Sequence, residues 1–231
     1  MNDRDLQLQE SNKVLDRVQA SLVEMTGLVQ VAISDATKAL LTADTQLAEE
    51  VISADHKIDA INNTIENICI EVLTGSTHPN VEVRITIACL RMATTLERMG
   101  DLAAHVAKQA RLRYPEVSVP VELHDTFARM GELANQVIER AGRVISTEDL
   151  NLAADIVASD NEMDDIHRDL FTTVLSPDWQ HGVQAAIDVT LLSRYYERFG
   201  DHALSVARRI VFVVKGEPYG VSQLEAAADS E

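Results

Sequence analysis

The chain has 231 residues, only 4% of them aromatic, with 20 Lys and Arg against 37 Asp and Glu and a formal charge of −17. That excess of negative charge argues against a nucleic-acid backbone or an anionic lipid surface as partner, because both recruit positive charge. The longest aliphatic-aromatic run, residues 210–214, is far short of a membrane span, and the N-terminus lacks the apolar stretch of a signal peptide.

Scarce Gly, Pro and aromatics favour helices over sheet, and apolar residues recur at alternating steps of three and four. Six such stripes predict six helices: Leu15 to Ala39, Leu47 to Val72, Ile85 to Val106, Leu123 to Val144, Leu152 to Leu170, and Ala185 to Val206. The fourth and fifth stripes repeat the first and second at a displacement of 105, and the sixth repeats the third at 100. The loop before the last helix is therefore shorter in the second half. It reads Ser176-Pro177-Asp178, where the first half has Thr74 through His78-Pro79.

Asp44 and Asp149 stand at matching positions before the second helix of each half, where a carboxylate can cap open N–H groups. The segment Tyr114 to Pro120, with a proline near each end, is the one convincing internal boundary, and the tail after Gly216 reads as loose and acidic. The expected fold is all-α: two tandem three-helix bundles related by internal duplication, residues 1–115 and 116–231, packed as one body. Cys69 and Cys89 form no CxxC pattern, which argues against a disulfide framework and for a reducing cytoplasm. Cys89 reads as core, and Trp179 as a packing anchor at the start of the sixth helix.

The duplication carries a motif. Glu97-Arg98-Met99-Gly100-Asp101 returns as Glu197-Arg198-Phe199-Gly200-Asp201. Each copy supplies an acidic pair at i,i+4, and so does the helix before it: Asp55/Asp59 in the first half, Asp160/Asp164 in the second. At this spacing two side chains share a face and like charges repel, unless a cation sits between them. Each pair begins one residue after a stripe position, which turns it roughly 100–140° from the core seam at about 100° per residue. Adjacent antiparallel helices then bring two pairs together, giving one surface cluster of four carboxylates per half. An all-oxygen set of this kind suits hard cations such as Mg, Mn or Ca, or iron.

A chain this acidic produces i,i+4 acidic pairs from composition alone, so the same residues also fit a solvated outer face. Gly100 and Gly200 lie mid-helix, where they serve close helix packing or clear room beside the acids. Arg98 and Arg198 either pair with nearby acids or serve partner docking. His105 has Ser205 as its counterpart and His202 has Leu102, so the duplication supports neither as a ligand. A carboxylate-bridged metal enzyme would hold Glu-x-x-His ligands in its core, but Asp164-x-x-His167 is the nearest approach here, and no nucleophile stands beside a base. A scaffolding bundle whose acids only confer solubility remains a third reading.

Repeat length, motif order and the paired acidic motifs together resemble the PhoU family of phosphate-signalling proteins, over nearly the whole chain. The resemblance implies two three-helix bundles with multinuclear metal clusters on the surface. It assigns metal ligation to Asp55, Asp59, Glu97, Asp101, Asp160, Asp164, Glu197 and Asp201. The metal would be a hard divalent or trivalent ion, iron first, with Mn, Mg, Ca or Zn as alternatives. It further implies a non-enzymatic, cytoplasmic negative regulator of phosphate uptake, homodimeric, linking the ATPase subunit of the phosphate ABC transporter to a sensor histidine kinase. His78-Pro79 has no histidine counterpart in the second half, which leaves that loop's role open.

Overall fold

The computed structural model describes residues 3–75 and 80–215. The His78-Pro79 loop and the tail after Lys215 lie outside the described residues. The helices are α1 (Asp3–Thr42), α2 (Thr45–Ala54), α3 (His56–Thr74), α4 (Asn80–Arg113), α5 (His124–Thr147), α6 (Leu150–Val174) and α7 (Gly182–Lys215), with a 3-10 turn at Val121–Leu123 before α5. The described residues contain no strand. α2 and α3 together form the expected second helix, so the six-helix, duplicated architecture holds.

Periodicity predicts a continuous second helix, but the chain interrupts it at Asp55. Ser53 Oγ donates to the carbonyl of Glu49 at 2.7 Å, and His56 Nδ1 lies 2.5 Å from the Ser53 carbonyl. Side chains that compete for backbone carbonyls bend helices at such points. The equivalent positions in α6 are Ala158 and Asn161, and α6 runs through unbroken. The interruption thus falls on a candidate ligand in one half only.

Both expected caps form. Asp44 accepts a hydrogen bond from Leu47 N–H and Asp149 from Asn151 N–H, each at 3.0 Å. The residue before each cap, Ala43 (φ 51) and Glu148 (φ 56), adopts the left-handed conformation. Two matching two-residue turns therefore reverse the chain at matching positions. Trp179 lies ahead of α7, not within it, and its Nε1 donates to the Gly182 carbonyl at 2.9 Å.

α1 packs on α4 and α5, and α7 packs on the same two helices, closing a ring of four; α2 and α3 cover one flank and α6 the other. The halves therefore share one core. Gln30 Nε2 donates to Asn135 Oδ1 at 2.8 Å, and these two residues are equivalents at the displacement of 105. A residue that touches its own equivalent lies on the pseudo-twofold axis. On either side, a Cβ at Gly131 would meet Thr37 at 2.5 Å and one at Gly142 would meet Thr26 at 2.6 Å. The two contacts are symmetry mates, and they make α1 and α5 antiparallel. α4 and α7 are antiparallel too: the rings of His105 and Tyr195 lie 5.4 Å apart, while Arg113 reaches Asp188.

Phe127, Phe199 and Tyr196 are completely buried at the centre, and burying a phenyl side chain contributes roughly 1.5–3 kcal/mol. Tyr196 OH shares a 2.7 Å hydrogen bond with Thr37 Oγ1, so the one polar atom of that ring is satisfied across the halves. Cys69 and Cys89 are both buried and free, and burial pushes their thiols up to about 11 and about 12. They are inert core residues.

Candidate metal centre

Each candidate site is built where the glycine of the repeated motif faces the helix before it. A Cβ at Gly200 would stand 2.8 Å from Asp160 Oδ1. A Cβ at Gly100 would stand 3.1 Å from Asp55 Oδ1 and 2.8 Å from Ile58 Cδ1. Close packing and room for an acid are therefore one feature: the missing side chain of α4 or α7 is the space that the carboxylate of the neighbouring helix fills.

This arrangement corrects the expectation that the acids point outward. Asp160 is only 7% exposed. Asp55, Glu97, Asp101, Asp164 and Glu197 are half-buried, while Asp59 and Asp201 are exposed. The angle from the stripe is sound, but a direction 100–140° off the seam of one helix points into the groove beside its neighbour, at about 100° per residue. The first acid of each α3 or α6 pair lies in that groove, and the second lies nearer to water.

The four acids of each half act on one another. Burial raises the proton affinity of Asp55, and the charges of Asp101 and Asp59 raise it further, opposed by Lys108 and His105. Glu97 is raised by burial first, then by Asp101, is opposed by Arg98, and is raised to a smaller extent by Asp59 and Asp55. In the second half burial, then Asp164, Asp201 and Glu197, push Asp160 up to about 7, against the opposing charge of Arg208. Glu197 is raised by burial, opposed by Arg194, raised again by Asp201 and Asp164, and opposed to a smaller extent by Arg198. Groups that hold protons this tightly also favour any other cation that can replace them.

Two oxygens in the second half, Asp160 Oδ1 and Glu197 Oε2, are buried without a hydrogen-bond partner. Arg194 engages the other oxygen of Glu197. An unpartnered buried carboxylate oxygen calls for an explanation, and an oxygen-seeking cation supplies one. The residues therefore fit a hard cation by donor type, by charge and by unfilled acceptor capacity. Among the described residues, no three His, Cys, Asp or Glu side chains converge closely enough to hold an ion as they stand.

The two sites differ. Arg194, which is bonded to Glu197, corresponds to Thr94 in the first half, so among the described residues only the second site has a guanidinium hydrogen-bonded to its glutamate. Lys108 and Arg208 are equivalents at the displacement of 100, and each opposes the pKa rise of the buried aspartate in its own half. Sequence reading missed both cations, although their recurrence in register with the motif was a visible signal. His105 turns its Nδ1 to within 2.7 Å of the Asp101 carbonyl, and His167 Nδ1 lies 2.9 Å from Ser193 Oγ. The expected pairing of Arg98 and Arg198 with neighbouring acids does not form: neither makes a salt bridge among the described residues.

Comparison with known proteins supplies the context for this geometry. The family model described as the PhoU domain matches twice, over residues 22–110 and 127–210. The chain is 43% identical over 202 residues to the phosphate-specific transport system accessory protein PhoU homolog 2 of Mycobacterium tuberculosis, spanning 87% of this chain and 95% of that protein. It is 41% identical to PhoU homolog 1 of Mycobacterium leprae, spanning 87% and 91%. Among solved structures it resembles PhoU from Pseudomonas aeruginosa, with a TM-score of 0.78 and 25% identity over 89% of this chain and 99% of that one. With both repeats matched and close relatives aligned almost end to end, the chain belongs to the PhoU family.

Proposed function

We propose that the chain is a metal-binding regulator of phosphate uptake and phosphate-starvation signalling. It acts in the cytoplasm, without catalysis of its own, as a homodimeric adaptor between the ATPase subunit of the phosphate ABC transporter and a sensor histidine kinase, and it restrains the starvation response. The regulatory part is supported by relatives named as accessory proteins of the phosphate-specific transport system, which align with 87% of the chain. Among the described residues no helix is long and apolar enough to cross a membrane, so the described helices would reach a membrane transporter by docking on it.

The metal part rests on one observation above the others. Asp160 is a carboxylate held 7% exposed beside three further acids, with one oxygen unpartnered. A fold that needed only solubility from its acids would leave them in water, since burying a charge without a partner costs several kcal/mol, roughly. Asp55, Asp59, Glu97 and Asp101 would form one ligand set and Asp160, Asp164, Glu197 and Asp201 the other, with iron, Mn, Mg, Ca or Zn bound as one ion or as a cluster. The test replaces the chromosomal copy with Glu97→Ala/Asp101→Ala and Glu197→Ala/Asp201→Ala variants. Phosphate uptake should become deregulated and metal content should fall. Normal uptake control with normal metal content would remove the metal from the account.

A further inference from the structure

The outer face of the α4–α7 pair has a charge unlike the rest of the molecule. These two helices carry eleven of the chain's 20 Lys and Arg but only six of its 37 Asp and Glu, and of the eleven Arg111, Arg113 and Arg194 are paired with acids. Four of those six acids belong to the carboxylate clusters, which lie at the flanks facing α3 and α6. Arg84, Arg91 and Arg98 recur every seven residues along one side of α4, a row about 20 Å long at 1.5 Å per residue. From α7, Arg198, His202 and Arg209 line the other side of the seam: Arg98 and Arg198 both act on His202, and Arg91 acts on Arg209.

Arg91, Arg98 and Arg198 are exposed and form no ion pair among the described residues. The guanidinium of Arg84 lies over the ring of Phe212 at 5.7 Å, and its Nε is buried without a partner. Aliphatic side chains flank the row at its two ends. Ile87 stands one turn before Arg91, and on antiparallel α7 Leu191 and Ile187 lie two and three turns beyond Arg198, past the Arg98 end of the row; all three are 40–48% exposed.

A merely solvated face of this chain would be expected to mirror its acidic composition. Cations gathered along about 20 Å at about 1.5 Å per residue, with exposed aliphatics at either end, match an anionic surface that also has apolar groups to bury. A free phosphoanion would use the arginines and leave Ile87, Ile187 and Leu191 in water. Resting on the regulator reading above, the geometry points to the α4–α7 seam as the docking surface for an acidic, amphipathic face of the transporter's ATPase subunit. Arg91, Arg98 and Arg198 supply the charge, and Ile87, Ile187 and Leu191 the apolar contact.

The test titrates the purified ATPase subunit into the full chain at low and at physiological salt. The triple variant Arg91→Glu/Arg98→Glu/Arg198→Glu should raise Kd about tenfold or more and flatten its salt dependence. All three positions are exposed, and circular dichroism with a thermal melt checks that the fold is kept. A control variant, Lys13→Glu/Arg17→Glu/Arg143→Glu, makes the same change in net charge at exposed positions elsewhere and should bind like the parent. Ile187→Ser/Leu191→Ser should weaken binding with the salt dependence intact.

Equal weakening by the control overturns the assignment, because net charge alone would then explain it. Unchanged binding by the Arg triple overturns the docking surface and leaves the regulator reading standing. Absence of ATPase binding by the parent chain sinks the adaptor reading and this surface with it. Tripolyphosphate is titrated in parallel: saturable binding lost in the Arg triple, with ATPase binding retained, reassigns the seam to a phosphoanion.

Discussion

Replacing Asp160 with Asn should make the metal-free protein more stable, and only above mildly acidic pH. The carboxyl is raised from 3.8 to about 7 by burial and by the three acids around it. In the unfolded chain it ionises near its ordinary value, so between the two values the folded protein holds a proton that the unfolded chain has released. Stability from this group is therefore complete below about pH 4, falls as pH rises, and is lost above about pH 7. A difference of about three units corresponds to about 4 kcal/mol, and relaxation of the side chain toward water lowers this to about 2. The amide introduced by Asp160→Asn keeps the shape of the carboxyl without its charge.

The assay is urea unfolding of both proteins in EDTA from about pH 4 to about pH 8.5. The variant should match the parent near pH 4 and exceed it by about 2–4 kcal/mol at about pH 8. Adding a hard metal ion of the proposed kind should narrow that gap by stabilising the parent more than the variant. A difference independent of pH would refute the claim that Asp160 is a desolvated carboxylate, and with it the electrostatic case for the site.

Two further substitutions probe the scaffold. Gly27 and Gly131 both lie within helices, but a Cβ at Gly27 meets nothing within 4 Å while one at Gly131 meets Thr37 at 2.5 Å. Gly27→Ala should therefore raise unfolding free energy by about 0.5–1 kcal/mol, and Gly131→Ala lower it by about 1–3 kcal/mol, read from denaturant midpoints. Asp188 is 3% exposed and receives hydrogen bonds from Arg113 at 2.6 and 2.9 Å. Arg113→Leu should cost about 3 kcal/mol in the same assay by leaving that buried charge without its counter-ion and with the Gln184 amide as its remaining side-chain donor among the described residues, and adding Asp188→Leu should recover most of the loss.

The pattern that survives duplication is legible before any coordinates. Stripes at a displacement of 105 and 100 locate all six helices, and matching aspartates locate the turns at Asp44 and Asp149. What periodicity misses is how helices face each other. Asp160 looks outward on its own wheel, and only the approach of α7 at Gly200 puts it in a groove. The break at Asp55 comes from Ser53 and His56 competing for backbone carbonyls, a local contest that an apolar stripe does not register. The pseudo-twofold axis at Gln30 and Asn135 is implicit in the numbering, but reading it requires knowing that the two first helices of the halves touch.

The most direct measurement is elemental analysis of untagged protein purified without chelator, set beside the Glu97→Ala/Asp101→Ala and Glu197→Ala/Asp201→Ala variants. Two carboxylate sites predict a hard metal in the parent, a partial loss in each double variant, and near-complete loss when both are combined. Parent protein that neither retains nor takes up such metals, or variants that match it in metal content, would contradict the account.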